Sequence, residues 1–442
     1  MSESLPISFT VQPGGRLEGR VRVPGDKSIS HRFVIFASLA EGASEASGFL
    51  EGKDTIATAD AFRAMGVSME GSRGGALRIE GAGLHGLCSP PAPLDMGNSG
   101  TAMRLLAGVL SGQRFDTTLT GDASLSTRPM ARITDPLRAM GARIDASPDG
   151  TPPLKIHAAG AALRAIDYAI PVASAQVKSC LLLAGLYADG VTSVTEPAPT
   201  RDHTERMFGA FGLPLATGER RIRVSGGGTL RATRVEVPGD ISSAAFFMVG
   251  ASIAEGSDLL LENVGINPTR VGVINILTAM GADIDIQNRR EAGCEPLADI
   301  RVRGTRLKGI EVPEPLVPLA IDEFPALFIA AACARGETRV SGARELRVKE
   351  SDRIAVMAEG LQALGIAADP TPDGMRIAGG RLGGGRVNSR GDHRIAMAFA
   401  MAGLAGEERI DIDDCANVDT SFPGFVEAAR SAGLDISVVR GQ

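Results

Sequence analysis

The chain has 442 residues, a length that predicts two domains, and its 44% hydrophobic and 22% charged residues are typical of a globular protein. The formal net charge of −6 and the absence of tryptophan argue against a nucleic-acid partner, because neither a basic surface nor stacking platforms are available. No apolar run approaches the ~20 residues that a membrane span needs. We therefore expect no nucleic-acid or membrane partner, and an anionic substrate would need its positive partners concentrated in one cleft.

The N-terminal stretch MSESLPISFTVQPGG lacks the basic and apolar regions of a signal peptide, so a cytoplasmic location is expected. The cysteines show no C-x-x-C pattern and no neighbouring histidine at metal-ligand spacing. We expect them to be buried thiols in a reducing compartment, with no metal site. They are Cys88, Cys180, Cys294, Cys333 and Cys415.

One pattern recurs along the chain: a helix-like stretch, a turn with glycine, and a short strand-like stretch. Each glycine stands where the end of a helix needs a positive φ. Successive copies lie roughly 70–85 residues apart, so each repeat is a supersecondary unit in an α/β protein. Two domains would then hold three copies each. The glycines are Gly66, Gly141, Gly212, Gly281, Gly365 and Gly433.

A second element also recurs: a polar or glycine-containing turn that opens an apolar helix. The copies are PGDKSISHR, GNSGTAMRLLAG, SAQVKSCLLLAG, PGDISSAAFFMVGA, IDEFPALFIAAA and GDHRIAMAFAMAG. Helices that are apolar nearly all round are predicted to be buried, and their first residues are good N-caps. If these helices open towards one place, their positive dipole ends attract anions. Ordinary helix capping is the alternative explanation of any single turn, and for PGDISSA it is the favoured one, so the anion hypothesis depends on the whole set.

Basic residues concentrate at or near these turns, and three acids lie among them. Arginine binds carboxylate and phosphate through two parallel hydrogen bonds, and lysine supplies a mobile charge. An acid beside bound anions keeps a proton more readily, which suits acid–base catalysis. For Asp322 the alternative is helix capping. The basic residues are Lys27, Arg32, Arg104, Arg128, Arg201, Lys349, Arg353 and Arg394, and the acids are Asp322, Glu350 and Asp352.

Several catalytic motifs are absent from the sequence. There is no G-x-x-x-x-G-K-[ST], no G-x-S-x-G and no H-E-x-x-H, which argues against P-loop ATP cleavage, serine hydrolysis of that type and zinc proteolysis. His393, in GDHRIAM, could orient a substrate or donate a proton, or it could be an ordinary, partly buried histidine.

Taken together, the motifs resemble those of the 5-enolpyruvylshikimate-3-phosphate synthase family over essentially the whole chain. PGDKSISHR, GNSGTAMR, SLSTRPM, SAQVKS, IDEFP, KESDRI and GDHRIAM occur in that family's order and spacing. The resemblance implies an α/β class of two domains, an inside-out α/β barrel of six βαβαββ repeats (the enolpyruvyl transferase fold), with the active site in the interdomain cleft. The matching domains would be residues 1–25 plus 239–442, and residues 26–238.

The resemblance also implies the activity. Members of the family transfer the enolpyruvyl group of phosphoenolpyruvate to the 5-hydroxyl of shikimate 3-phosphate and release phosphate, the sixth step of the shikimate pathway to chorismate and the aromatic amino acids. The implied mechanism is addition followed by elimination. No metal or organic cofactor is implied, and a monomer is expected.

Site residues are carried over from the family position by position. In catalysis, Asp322 would take the hydroxyl proton, and Glu350, assisted by Lys27, would handle the proton at the methylene carbon. The shikimate 3-phosphate contacts would be Lys27, Ser28, Arg32, Ser174, Ala175, Gln176, Arg201, Asp322 and Lys349. The phosphoenolpyruvate contacts would be Lys27, Asn98, Gly100, Arg128, Gln176, Arg353 and Arg394.

Some positions depart from the common family pattern. Ala175 stands where many members have serine, no tyrosine follows near Arg201, and Thr420 stands where many members have lysine. Together, these departures resemble a less common, herbicide-tolerant subgroup. Gly100, however, is glycine where tolerant members carry alanine, whose methyl group would crowd glyphosate. We therefore expect glyphosate to compete with phosphoenolpyruvate, although Leu105 replaces the proline of many sensitive members.

Two alternatives stay open from the sequence. The first is the related enolpyruvyl transferase that acts on UDP-N-acetylglucosamine, which usually carries a cysteine where this chain has Ala123, although some members use aspartate. The second is a non-catalytic protein that binds phosphorylated metabolites on the same repeat. Such a protein would keep the arginines but would not need both Asp322 and Glu350.

Overall fold

The computed structural model describes residues 7–440, which form two compact units. Unit 1 combines the segment up to Pro24 with Pro238–Glu291 and the segment from Pro296 onwards; unit 2 holds Gly25–Val237 together with Ala292–Glu295. Residues 1–6 and residues 441 and 442 lie outside the described residues. Residues 1–6 begin the stretch MSESLPISFTVQPGG, in which no signal peptide is expected from the sequence.

The described residues contain twelve α-helices, which are numbered in chain order. They are α1 (Lys27–Leu39), α2 (Lys53–Ala64), α3 (Gly100–Leu110), α4 (Ala131–Ala139), α5 (Ala175–Gly185), α6 (His203–Ala210), α7 (Ile241–Ile253), α8 (Gly272–Ala279), α9 (Phe324–Ala332), α10 (Arg353–Ala363), α11 (His393–Ala402) and α12 (Phe425–Ala432). Among residues 7–440, none of these helices has the length and apolar character that crossing a membrane would require.

The strands are short, and most carry alternating buried and exposed residues. In the first half of the chain they are β1 (Ile7–Val11), β2 (Glu18–Val21), β3 (Glu41–Ser47), β4 (Ser68–Arg73), β5 (Ala76–Ala82), β6 (Leu94–Asp95), β7 (Thr117–Thr120), β8 (Ile144–Asp145), β9 (Leu154–Ile156), β10 (Leu163–Arg164), β11 (Asp167–Ala169), β12 (Ala188–Asp189), β13 (Val191–Thr195), β14 (Ala216–Gly218), β15 (Arg221–Ser225) and β16 (Arg234–Glu236). The rest are β17 (Asp258–Gly265), β18 (Asp283–Ala292), β19 (Glu295–Arg303), β20 (Glu337–Val340), β21 (Ala367–Thr371), β22 (Gly374–Ala378), β23 (Gly385–Asn388), β24 (Ile410–Asp413) and β25 (Ile436–Arg440).

The sheets repeat one topology. In unit 2 the four-stranded sheets have the orders β16-β3-β5-β4, β6-β7-β9-β8 and β11-β13-β15-β14, and β10 pairs separately with β12. In each four-stranded sheet the first pair is parallel and the next two pairs are antiparallel. A parallel pair needs a crossover connection, and helices supply it here. Each sheet is therefore one copy of the repeat.

Unit 1 uses the same topology, with two of its strands taken from the start of the chain. Its sheets have the orders β23-β24-β1-β25, β18-β19-β17-β2 and β20-β22-β21. Strand β1 is antiparallel to both β24 and β25, and β2 is parallel to β17. The N-terminal segment thus completes sheets whose other strands come from the second half of the chain.

The glycines of the repeat have the conformation that the sequence predicts. A residue without a Cβ tolerates positive φ, so glycine can end a helix and turn the chain into the next strand. All six have φ between 81° and 116° and lie one or two residues beyond a helix, at Gly66, Gly141, Gly212, Gly281, Gly365 and Gly433. The six-fold repeat is confirmed.

The apolar helices of the second element form the centre of each unit. Helices α1, α3 and α5 are buried in unit 2, and α7, α9 and α11 pack on one another in unit 1. Five of the six begin at a side-chain cap, an Asp or Ser whose oxygen accepts a hydrogen bond from a backbone N–H of the first turn. The exception is α9, whose cap residue Glu323 makes no such bond.

The cysteines are all free thiols, and one of them differs from the expectation. Cys180 and Cys415 are buried and two others are partly buried, but Cys88 is exposed. Cys88 lies in the loop GLHGLCSPPAP between β5 and β6, which runs over the surface because it contains no regular structure to satisfy its backbone groups inside the protein. Burial raises the pKa of the Cys294, Cys333 and Cys415 thiols to about 12, so they stay protonated near neutral pH.

Candidate functional site

In unit 2, Lys27 is the first residue of α1, directly after the cap residue Asp26. Its Nζ lies 3.1 Å from Oδ2 of Asp54, and the two side chains are only 17% and 11% exposed. Asp54 is in the first turn of α2, where a negative charge is favourable. Lys27 is therefore held at a helix start by a nearly buried carboxylate.

Arg32 lies one turn further along α1 and is buried. Its guanidinium donates to Oγ1 of Thr204 (2.6 Å), to Oγ of Ser179 (2.7 Å) and to the carbonyl of Ser28 (3.0 Å). Burial lowers the pKa of Arg32 to about 10, with the carboxylate of Glu205 acting in the opposite direction. Arg32 thus stays charged at neutral pH, and its position is fixed by groups from α5 and α6.

Asn98 and Arg128, both predicted to bind phosphoenolpyruvate, are in direct contact. Nη2 of Arg128 donates to Oδ1 of Asn98 (2.8 Å) and to Oγ of Ser124 (3.3 Å). Nδ2 of Asn98 in turn donates to Oδ2 of Asp122 at 2.8 Å. These two hydrogen bonds turn the oxygen end of the Asn98 amide towards the guanidinium and its nitrogen end towards Asp122, so Arg128 is oriented ahead of any ligand.

Gln176 connects the first turns of α5 and α3. Its Oε1 accepts from Nη1 of Arg104 (2.8 Å), and its Nε2 donates to Oγ1 of Thr101 (2.9 Å). Ser174 caps α5 by accepting from the N–H of Val177, while Ala175 begins the helix with no polar side chain. The predicted residues of these two helices therefore lie side by side.

Arg201 lies in the loop between β13 and α6 and is partly buried. After burial and the opposing carboxylates, its positive charge is among the causes that lower the pKa of Arg32. The structure therefore places Arg201 in the same unit as Arg32, on the loop that leads into the helix that holds Arg32 through Thr204.

His31 gives unit 2 a testable dependence on pH. It is buried, with Nδ1 2.8 Å from Oγ1 of Thr58, and burial, followed by the charges of Lys27 and Arg32, lowers its pKa well below 6.5. The unfolded chain binds a proton at His31 below about pH 6.5, whereas the folded protein does not, so stability falls as pH falls. We expect the fall between pH 7 and pH 5 to be shallower in His31→Gln, by up to about 1.4 kcal/mol per pH unit.

The measurement is urea unfolding of the wild type and His31→Gln at several pH values. The quantity to compare is the slope of the unfolding free energy against pH. Absolute stabilities are not compared, because His31→Gln also loses the hydrogen bond between His31 and Thr58. Equal slopes for the two proteins would show that His31 titrates alike in the folded and unfolded states.

In unit 1, the carboxylate of Asp322 lies between two cations. Its Oδ1 is 3.1 Å from Nζ of Lys349 and 3.4 Å from Nη1 of Arg353. The backbone carbonyl of Asp322 also accepts from Nη1 of Arg394 at 3.2 Å. Asp322 precedes the start of α9 by two residues, and the cap position itself is Glu323.

Arg353 is the central group of this cluster and is fully buried. Its Nε lies 2.8 Å from Oδ2 of Asp392, and its Nη2 lies 2.6 Å from Oε2 of Glu350. Burial by itself would lower the pKa of Arg353, but the carboxylates of Asp392, Glu350 and Asp322 together raise it above its usual value. The guanidinium therefore holds three acids in fixed positions around one point.

Two further residues of the predicted set have different surroundings. Asp352 caps α10, accepting from the N–H of Ala355 at 3.0 Å, and pairs with Nη1 of Arg347 at 2.6 Å. Its carboxylate therefore holds the start of α10 and Arg347 in place. His393 is the first residue of α11, directly before Arg394, and its side chain is buried in the protein rather than exposed to solvent.

The predicted residues thus form two groups, one in each unit. Three acids that the sequence analysis did not single out hold the predicted cations and amide: Asp54 with Lys27, Asp122 with Asn98, and Asp392 with Arg353. Each of these acids stands in a short polar turn or in the first turn of a helix. An acid at such a position is predicted to cap the helix, but the sequence does not indicate which distant residue it contacts.

Comparison with known structures establishes the fold first. The enolpyruvyl transferase NikO from Streptomyces tendae shares this fold, with a TM-score of 0.81 over 99% of this chain and 100% of that chain, at 18% sequence identity. At that identity the likeness shows the fold alone, and it confirms the predicted enolpyruvyl transferase architecture.

The chain belongs to the EPSP synthase (3-phosphoshikimate 1-carboxyvinyltransferase) family, whose family model matches residues 11–428. It is 67% identical to the 3-phosphoshikimate 1-carboxyvinyltransferase of Methylococcus capsulatus over 98% of this chain and 99% of that protein. The structure of EPSP synthase from Acinetobacter baumannii matches at 57% identity with a TM-score of 0.89, covering 98% of this chain and 100% of that chain. The family predicted from the sequence is confirmed.

Proposed function

We propose that this protein transfers the enolpyruvyl group of phosphoenolpyruvate to the 5-hydroxyl of shikimate 3-phosphate and releases inorganic phosphate. The observation that carries the proposal is the cluster in unit 1, where a carboxylate, Asp322, is held beside Lys349 and Arg353, with Glu350 on the same guanidinium. Base, acid and cations in one cluster suit a reaction that moves protons beside anionic substrates.

The cationic groups support binding of two substrates that each carry a phosphate and a carboxylate. Arg32, Arg201 and Lys349, with Ser28, Ser174 and Gln176, would contact shikimate 3-phosphate, while Ala175 contributes only backbone. Arg128, Arg353 and Arg394, with Asn98 and the backbone at Gly100, would contact phosphoenolpyruvate. Lys27 would contact both substrates, giving up its pairing with Asp54. Charge-assisted hydrogen bonds of this kind are the strong ones in proteins.

The chemical steps follow from the same residues. Asp322 takes the proton of the 5-hydroxyl as its oxygen attacks C2 of phosphoenolpyruvate, and Glu350, assisted by Lys27, delivers a proton to C3. The resulting tetrahedral intermediate then loses a proton from its methyl group, the C2–O bond to phosphate breaks, and phosphate leaves. The proton added to C3 is removed again in the second half, and the hydroxyl proton held by Asp322 leaves with phosphate. The net reaction changes no oxidation state, so it needs no redox cofactor.

The alternative acceptor, UDP-N-acetylglucosamine, is not favoured, since the relatives named above are 3-phosphoshikimate 1-carboxyvinyltransferases and Ala123 carries no thiol or carboxylate. A phosphate-release assay with phosphoenolpyruvate and each acceptor in turn tests the proposal. We expect phosphate release with shikimate 3-phosphate and none above background with UDP-N-acetylglucosamine. The opposite pattern, or release with neither acceptor, would overturn it.

Gly100, the first residue of α3, gives a prediction about phosphoenolpyruvate. A Cβ at this position would lie 2.7 Å from Nη1 of Arg104 and 3.4 Å from Nη1 of Arg128, so Gly100→Ala must displace a guanidinium. Because a weakened charged hydrogen bond costs about 1.5–3 kcal/mol, we expect KM for phosphoenolpyruvate to rise roughly tenfold or more, with KM for shikimate 3-phosphate nearly unchanged.

Glyphosate, expected to compete with phosphoenolpyruvate in the wild type, should inhibit Gly100→Ala more weakly. A matched control is Gly209→Ala on α6, where an added Cβ meets nothing within 4 Å. Steady-state kinetics of the wild type, Gly100→Ala and Gly209→Ala give the KM values for both substrates and the inhibition constants for glyphosate that test both predictions. Equal constants in Gly100→Ala and Gly209→Ala would mean that phosphoenolpyruvate does not bind beside Gly100, and a wild-type rate unchanged by millimolar glyphosate would remove the inhibitor prediction.

A cytoplasmic location and a monomeric state also remain part of the proposal. Both are supported by the biosynthetic character of the family and by the metabolite substrates, neither of which calls for a membrane, nucleic-acid or protein partner. Sedimentation velocity at micromolar concentration measures the oligomeric state directly, and we expect a single species with the monomer's mass of 45.8 kDa.

A further inference from the structure

A buried charge cluster in unit 2 has no role in the steps described so far. Nζ of Lys178 lies 3.1 Å from Oε2 of Glu196 and 2.7 Å from Oε1 of Glu205, and the three side chains are 1%, 6% and 11% exposed. A buried ion cluster gives little net stability, because desolvation of the charges offsets their attraction. The presence of this cluster on the helix that carries Ser174 and Gln176 therefore calls for a reason other than stability.

The first connection between this cluster and the site runs along α5. Lys178 is two residues beyond Gln176 and directly precedes Ser179, whose hydroxyl accepts from Nη2 of Arg32. Lys178 is thus part of the same helix turn that presents proposed contacts of shikimate 3-phosphate, but its side chain points to acids instead of to a ligand.

The second connection runs through residues 196–202, the loop that carries Arg201 between β13 and α6. Glu196 begins this loop, and its Oε1 accepts a short hydrogen bond from the hydroxyl of Thr200, the residue directly before Arg201. Glu205 stands in the first turn of α6, at the other end of the loop. Lys178 therefore binds both ends of the segment that presents Arg201.

Helix α6 also positions Arg32. Oγ1 of Thr204, in the first turn of α6, accepts from Nε of Arg32 at 2.6 Å and lies 2.6 Å from Oγ of Ser179. A shift of the start of α6 would consequently move Arg201 and Arg32 together. Both are proposed to contact the same substrate, and neither is proposed to contact phosphoenolpyruvate.

We propose that Lys178 is a positioning residue: through Glu196 and Glu205 it fixes the 196–202 loop and the start of α6, so that Arg201 and Arg32 are held ready for shikimate 3-phosphate. The inference rests on the proposed function and deepens it, since it assigns one buried cluster to the binding of one of the two substrates. Lys178 itself does not touch the substrate.

The test compares Lys178→Met, which keeps the length of the side chain and removes its charge, with the wild type. We expect KM for shikimate 3-phosphate to rise at least tenfold while KM for phosphoenolpyruvate changes less than twofold. Lys178→Arg, which keeps the charge, should recover part of the loss. Thr200→Val, which removes only the hydrogen bond to Glu196, should raise the same KM about threefold and serves if Lys178→Met does not fold.

Leu183→Ala is the matched control, because Leu183 lies fully buried on the same helix and its truncation weakens packing without touching the loop. It should lower stability with both KM values unchanged. A double-mutant cycle gives the decisive reading: in an Arg201→Ala background, Thr200→Val should have little further effect on KM for shikimate 3-phosphate.

Three results would overturn the inference. They are unchanged KM values in folded Lys178→Met and Thr200→Val, equal changes for both substrates, or effects of Thr200→Val and Arg201→Ala that simply multiply. Each of these requires a wild-type enzyme that turns over shikimate 3-phosphate. If the wild type itself releases no phosphate, the proposed function fails instead, so the two failures are distinguishable.

Discussion

Asp322→Asn is expected to lower kcat by about 10²- to 10⁴-fold, the usual effect of removing a general base, with little change in either KM. The carboxylate lies 3.1 Å from Nζ of Lys349 and 3.4 Å from Nη1 of Arg353, and asparagine keeps its shape while losing the ability to accept a proton. The fold should tolerate the change, because Arg353 keeps its two other carboxylate partners.

Asp352→Asn is the matched control for this substitution. It makes the same chemical change at the residue that caps α10, and asparagine is an equally good cap. Its kcat should stay within about threefold of the wild type, because only a partly exposed pairing with Arg347 is lost. Similar losses in both variants would assign the effect to general disturbance, and normal turnover in Asp322→Asn would remove Asp322 as the base.

Arg353→Leu should be the most damaging single change in unit 1. The substitution leaves the carboxylate of Asp392, which is 0% exposed, without its guanidinium partner, and it also releases Glu350 and Asp322. Removing one partner of a buried ion pair destabilises a protein by about 3–5 kcal/mol. We expect a loss of that size in the free energy of unfolding, measured in urea, together with loss of detectable turnover.

Arg390→Ala supplies the comparison, because Arg390 and its partner Glu359 are 61% and 62% exposed and lie 3.4 Å apart. An exposed pair contributes at most about 1 kcal/mol, so this variant should unfold close to the wild type and turn over normally. Arg353→Lys keeps the charge but not the bidentate geometry of the guanidinium. Its free energy of unfolding should therefore lie between those of Arg353→Leu and Arg390→Ala. If Arg353→Leu were as stable as Arg390→Ala, the three acids would not depend on Arg353.

The repeat and the helix starts could be predicted from the sequence because both are local. A glycine at φ near 90° after a helix and an Asp or Ser before one are each decided within a few residues, as at Gly66, Gly141 and Ser99. The same holds for Lys27, which the capping residue before it places at the first turn of α1.

The partners of the cations could not be predicted in this way, because they come from other turns of the fold. Asp54 is 27 residues from Lys27, and Asp392 is 39 residues from Arg353. Nothing in either segment specifies that the two turns meet. The same is true of Lys178, whose motif SAQVKS drew attention only to the serine and glutamine. Cys88 was placed inside the protein on residue type alone and is exposed.

Proton transfer to C3 of phosphoenolpyruvate and back is the central step of the proposed reaction, since it needs Glu350 and Lys27 as well as Asp322. The reaction of enzyme, shikimate 3-phosphate and phosphoenolpyruvate in D₂O, followed by proton and phosphorus NMR, measures this transfer directly. We expect free phosphate and an enolpyruvyl product whose methylene group carries deuterium from the solvent. A product with an unlabelled methylene group, or phosphate and pyruvate with no enolpyruvyl product, would contradict it.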